Sequence, residues 1–204
     1  TSPNAAATAT LKPFKDKIDV FSKSLVATVP AELCSRRVPG GVGTTDYSRS
    51  SAACNALGEV SARGGDIQQL VAQSYLDVAN TSYGGADISL QSGGGVRVPL
   101  NGQVTAANVI EVLPFGNMLF RLNITGAEAK SMVEDGLHAV YGPGGSTGPY
   151  PYTGGLRYDV DASKPQGSRA SNFEVYNATT KTWGAIDPAK TYKLCVLSFN
   201  ATGG

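Results

Sequence analysis

The first sustained pattern along the chain lies at residues 10–28, where Leu11, Phe14, Ile18, Phe21 and Leu25 recur at intervals of three and four with lysines between them. That spacing predicts a helix with one apolar stripe. Residues 1–9, TSPNAAATA, are small and polar and read as a linker. Residues 29–53 carry the breakers PGGVGTT and SRSS and read as loop. Asp66 stands where an N-cap belongs, ahead of IQQLVAQSYLDVAN, a second amphipathic helix that reaches Asn80. SYGG ends it, and residues 86–90 form a short apolar strand.

Three glycines follow that strand directly in QSGGGVR, residues 91–97, so the backbone there adopts torsions or close approaches that a Cβ would forbid. Residues 105–112 fit either a helix or an extended segment. MLFRLNI, residues 118–124, alternates and reads as strand. Thr125 and Glu128 have the spacing of a capping box and open a third helix that runs to Gly142. Residues 142–155, rich in Gly, Pro and Tyr, read as loop; strands follow at 156–160, 172–176 and 192–199, with turns at SKPQGS and NATTKTWG. This order predicts an α+β fold: one domain holding a mixed four- or five-stranded sheet flanked by helices.

A length of 204 residues suits one domain, and 41% hydrophobic residues supply a core. Charged residues make up 16%, against about a quarter in ordinary globular chains, while 25 glycines and 11 prolines mark a loop-rich molecule. A net charge of +1 without a basic run excludes a nucleic-acid binder that works by neutralising phosphates. No apolar stretch is long enough to predict a membrane-spanning helix. The sequence has neither an initiating methionine nor a signal-peptide pattern, and reads as a piece of a longer polypeptide.

His138 is the single histidine, too few for a His-rich catalytic metal site. Cys34 and Cys54 bracket an irregular stretch and are expected to form a disulfide, which suits an oxidising compartment; two unrelated thiols are the alternative. Cys195, inside the apolar run YKLCVLSF, is expected to be a buried, inert thiol. Glycosylation sequons at Asn80, Asn123, Asn177 and Asn200 are no more than chance supplies in a chain this rich in Asn, Ser and Thr. The carboxylates Glu128, Glu134, Asp135 and Asp159 are scattered and read as capping or surface groups.

Candidate chemistry gathers in three places. SGGGVR lacks the spacing of either common phosphate-loop fingerprint. LPFGN sets Phe115 between proline and glycine, and SFNATGG sets Phe199 at a strand end ahead of a glycine pair. An aromatic at such a position makes a stacking platform beside backbone that can crowd a ligand. Taken in order, ADISLQSGGGVR, LPFGNMLFRLNITGAE, GGLRYDVDASKPQGSR, IDPAKTYKL and SFNATGG resemble the C-terminal, substrate-specificity domain of the 5'-nucleotidase family over residues 10–204, nearest to its secreted bacterial branch.

The resemblance implies a nucleoside- or nucleotide-gripping domain of a hydrolase that releases phosphate from nucleotides. It implies an N-terminal metallophosphoesterase domain upstream in the same polypeptide, holding two divalent metals, with no cofactor or metal in this chain. A rotation of the domains would carry substrate to those metals. It places Phe115 and Phe199 on the two faces of the base, Arg97 against phosphate or ribose, Ser92 and Gly94 in the pocket wall, and Asn117 against the base. Arg63 stands in for an upstream ligand-binding arginine. The family commonly continues G-G-D-G-Y after the second phenylalanine, and the present residues stop at Gly204, short of that aspartate. A periplasmic, extracellular or cell-surface location goes with this reading. Two alternatives accompany it: a stand-alone binding or interaction domain without hydrolysis, and a nucleotidase acting on sugar-nucleotides, dinucleotides or cyclic nucleotides.

Overall fold

In the computed structural model, which describes residues 4–41 and 50–203, a four-stranded sheet forms the centre. Its order is β4 (Leu119–Thr125), β9 (Thr191–Leu197), β2 (Ile88–Ser92) and β5 (Pro151–Gly154). β2 and β9 run parallel while β4 and β5 pair antiparallel on either side, so the sheet is mixed, as the sequence predicts.

The two middle strands are buried over most of their length; β9 ends in the apolar run Leu194–Leu197, whereas β2 alternates Ile88 and Leu90 with polar residues. Period-2 alternation assigns the faces. Ile88, Leu90, Tyr192, Leu194 and Val196 pack into a core with Ala129, Val133, Leu137 and Val140 of α6 (Gly126–Tyr141). Cys195 and Leu197 point the other way, toward Ile67, Val71, Tyr75 and Ala79 of α4 (Asp66–Ser82). Two buried polar residues of β2 share that second face. Ser89 donates to the Ala72 carbonyl at 2.5 Å, and Gln91 accepts from the Tyr75 hydroxyl at 2.8 Å, so neither is left unsatisfied. Burial, and secondarily the neighbouring Cys195, pushes the Tyr75 phenol above its ordinary range.

Two smaller sheets flank this centre. β1 (Leu25–Leu33) pairs antiparallel with β3 (Leu100–Thr105), and β6 (Leu156–Val160), β7 (Ala170–Asn177) and β8 (Thr182–Ala185) form an antiparallel meander. The remaining helices are α1 (Ala5–Ser22), α2 (Ala52–Ala56), α3 (Gly58–Arg63), α5 (Ala106–Val112) and α7 (Ser198–Ala201).

The first helix departs from its predicted bounds at both ends. It starts at Ala5 because an alanine-rich run favours helix and the Asn4 side chain accepts the Ala7 N–H at 3.0 Å. It stops at Ser22, and Leu25, predicted as the last residue of the stripe, instead opens a β-branched segment that pairs with β3. α1 buries none of its residues, so its apolar stripe faces solvent. The open choice at 105–112 resolves as helix, closed by a reciprocal Thr105–Asn108 capping box. Gly65 is the N-cap of α4, while Asp66 lies one position further on and accepts the Cys34 N–H at 3.2 Å. β5 and β8 fall where loop and turn are predicted; four residues each are too few to show a period. The final strand ends at Leu197, and Phe199 sits in the short α7 instead.

Cys34 and Cys54 form a disulfide, with Cα atoms 5.5 Å apart, and Cys195 is a buried free thiol whose pKa is raised by burial. Closing a loop with a sequence separation of 20 stabilises the fold by about 3 kcal/mol in the chain-entropy treatment. Protein unfolded without reductant should titrate one thiol, and three after reduction; three before reduction would exclude the bond. At the start of α6, Glu128 accepts the Thr125 N–H at 2.7 Å and the Thr125 hydroxyl at 2.9 Å. Those bonds, the backbone one foremost, hold its carboxyl below the ordinary range. A depressed acid stabilises the fold above its unfolded pKa of about 4.3 and loses that contribution as pH falls through the folded value. Glu128→Gln should therefore lower the melting temperature at neutral pH, with the gap from the parent closing below about pH 4.

Candidate functional site

The parallel pairing of β2 with β9 brings the C-terminal ends of both strands out at one edge of the sheet. In open α/β sheets that edge is where ligands bind. β2 runs straight into the Gly-rich turn, and β9 runs into α7 with Phe199. Because β4 is antiparallel to β9, with Leu119 opposite Leu197, the LPFGN segment ahead of β4 emerges at the same place. Three segments distant in sequence thus meet through strand direction alone.

Close approach, rather than unusual torsion, dictates the glycines; none of Gly93, Gly94 or Gly95 has positive φ. The Gly94 N–H donates to the Gly148 carbonyl at 2.9 Å, and a Cβ at residue 94 would come within 2.8 Å of Gly148 Cα. Just past the turn, the Arg97 N–H donates to the Val112 carbonyl at 3.0 Å, and its guanidinium bends back to the Gly94 carbonyl at 2.9 Å. The guanidinium carbon lies 5.9 Å from the centre of the Phe115 ring, within cation–π range.

Side-chain hydrogen bonds tie the segments together. Ser198 donates its hydroxyl to Asn117 Oδ1 at 3.0 Å and accepts the Met118 N–H at 3.2 Å. Asn200 Nδ2 donates to the Ser92 hydroxyl at 2.8 Å. The Gly-rich turn is thus joined to α7, and α7 to the LPFGN loop. Phe115 and Phe199 are 54% and 57% exposed, so neither ring belongs to the core.

Ser92, Gly94, Arg97, Phe115, Asn117 and Phe199 all line one open cleft of about 1340 Å³. Arg63, the remaining candidate, lies on the last turn of α3, exposed and outside that lining. The lining instead includes a second arginine, Arg37, which sequence reading passed over. Its only local signal was a pair of arginines just inside the disulfide loop. The carboxylate among the described lining residues is Asp135 of α6. Half-exposed aromatic rings offer faces for a planar group, and Arg97 and Arg37 are the arginines of the lining, a residue type that binds anions through a forked donor. Among the described residues no cluster of three or more His, Cys, Asp or Glu side chains could hold a metal ion.

The chain is 28% identical over 192 residues to the NAD 5'-nucleotidase of Haemophilus influenzae, a match covering 93% of this chain and 29% of that protein. It is 33% identical over 144 residues to a probable 5'-nucleotidase of Treponema pallidum, covering 69% and 24%. The solved structure of the Haemophilus influenzae NAD nucleotidase superposes over 100% of this chain and 33% of its own, with a TM-score of 0.71 at 25% identity. The chain therefore spans about a quarter to a third of the length of these relatives. The family model for the 5'-nucleotidase C-terminal domain matches residues 41–204, more than three quarters of the sequence. The chain belongs to that family.

Proposed function

We propose that the cleft grips the nucleoside end of a nucleotide, as the substrate-binding domain of a metal-dependent 5'-nucleotidase-type hydrolase. Phe115 and Phe199 stack on the base and Asn117 contacts its edge. Ser92 and the backbone at Gly94 form the wall, and Arg97 and Arg37 meet the phosphate or ribose. The chemical step belongs to a metallophosphoesterase domain, with divalent metals, preceding these residues in the same polypeptide; the much greater length of the relatives supports this. The disulfide supports a secreted setting.

One observation carries the reading. Two half-exposed phenylalanines and an arginine, from segments far apart in sequence, share a cleft whose walls are hydrogen-bonded to one another. Aromatic surface held in water by a rigid frame has little purpose in packing and a direct one in stacking. A second reading, a dinucleotide substrate, draws on the size of the cleft, since small-molecule sites usually enclose about 300–1,000 Å³. It also agrees with the name of the NAD 5'-nucleotidase relative.

Titrating adenosine and its monophosphate by calorimetry tests the site. Phe115→Ala and Phe199→Ala should each cost about 1–3 kcal/mol, about 5- to 150-fold in affinity. Arg97→Ala should weaken the monophosphate more than the nucleoside if it meets phosphate, and both equally if it meets ribose. If both phenylalanine variants bind like the parent, the base-stacking reading fails and a binding domain without nucleotide recognition takes its place. The 204 residues alone, supplied with divalent metal, should release no phosphate from nucleotides; robust metal-dependent release by the pure chain would overturn the division of labour.

A further inference from the structure

The segment that carries Arg37 has no regular secondary structure, yet its backbone is anchored at almost every polar group. The Cys34 N–H donates to Asp66 Oδ2 at 3.2 Å, and the Cys34 carbonyl accepts the Ile67 N–H at 3.2 Å. Ser35 is bound through both backbone groups by the Ser50 hydroxyl. The Arg36 N–H donates to Gln68 Oε1 at 3.2 Å, and the Arg36 carbonyl accepts from the Tyr152 hydroxyl. Gln68, fully buried, also donates to the Ser35 hydroxyl at 2.8 Å. Tyr152 in turn accepts the Gly65 N–H at 3.1 Å. Gly65 has to be glycine, because a Cβ there would come within 2.4 Å of the Arg36 nitrogen. Finally, the Arg37 carbonyl lies against the Gly-rich turn, 2.7 Å from where a Cβ of Gly93 would be.

Buried side-chain amides and phenols are costly to place unless fully satisfied. Here Gln68 and Tyr152 spend hydrogen bonds on two residues of irregular loop, Ser35 and Arg36, and the next residue along is a cleft arginine. We infer that Tyr152 and Gln68, with the Cys34–Cys54 bond, are positioning residues for Arg37, and that this buried hook sets the cleft's affinity for the anionic end of its ligand. The inference rests on the nucleotide reading of the cleft and goes beyond it. Neither Tyr152 nor Gln68 lines the cleft; their hydrogen bonds act on the backbone immediately ahead of Arg37. An arginine whose backbone is fixed in this way loses less freedom when it binds an anion.

The test compares adenosine with adenosine monophosphate on the 204-residue chain. Arg37→Ala should weaken the monophosphate and spare adenosine. Tyr152→Phe, which keeps the ring and removes the hydroxyl, should do the same by about three- to tenfold. The double variant Arg37→Ala/Tyr152→Phe should bind the monophosphate as Arg37→Ala does, because the hydroxyl that Tyr152→Phe removes acts through Arg37. Gln68→Met repeats the measurement should Tyr152→Phe fail to fold. Equal loss of both ligands, no loss, or additive losses in the double variant would overturn the hook while leaving the site reading intact. A parent chain that binds neither ligand would overturn both.

Discussion

Parallel pairing between β2 and β9, three residues deep from Ile88–Leu194 to Leu90–Val196, is the constraint on which the rest of this molecule depends. Parallel neighbours must release their chains at the same end, and here both releases are glycine-rich. Antiparallel addition of β4 then delivers a third segment to that end. The same pairing sets what each helix covers, since alternate residues of the two strands face α6 and α4. Reversing one strand would separate the cleft into unrelated surface loops without altering a single local motif.

The cleft edge owes its rigidity to backbone crowding and short polar bridges more than to apolar packing. Gly93 and Gly94 let the turn lie directly on Arg37 and Gly148, where any side chain would force strands apart. Ser198 and Asn200, one on each side of Phe199, bind to different segments, so a four-residue helix that buries nothing is still fixed in place. Preorganisation of this kind lowers the cost of ordering an exposed aromatic when it meets a partner.

What the sequence disclosed, and what it withheld, divides along the range of the interactions. Thr125 and Glu128 are neighbours on one helical turn, so their capping box was legible from spacing. The Gly-rich turn and the two phenylalanines were legible because glycine and proline punctuate locally. Arg37 was not, since the backbone at residues 36 and 37 is held by Gln68, Tyr152 and Gly93, each distant in the chain. Arg63 lies apart from the cleft lining for a related reason. The two glycines after it are taken up in passing residues 34–36 beneath Tyr152, with Gly64 at φ +94°, which leaves Arg63 on the outer end of α3. The strand at 25–33 hid partly behind a helical stripe, read to residue 28, and partly in the stretch from 29 read as loop; pairing with β3 decides it. β5 and β8 hid because four residues carry no period.

The first helix has a thermodynamic standing of its own. Although α1 touches α5, it places no side chain in a core. Its structure rests on alanine propensity, the Asn4 cap and two exposed pairs, Lys12–Asp16 and Lys15–Asp19, each of which ionic strength screens. Its helicity therefore adds little to the cooperative unit that contains the cleft. Polar substitutions along the solvent-facing stripe of α1 thus leave the packing around the cleft untouched.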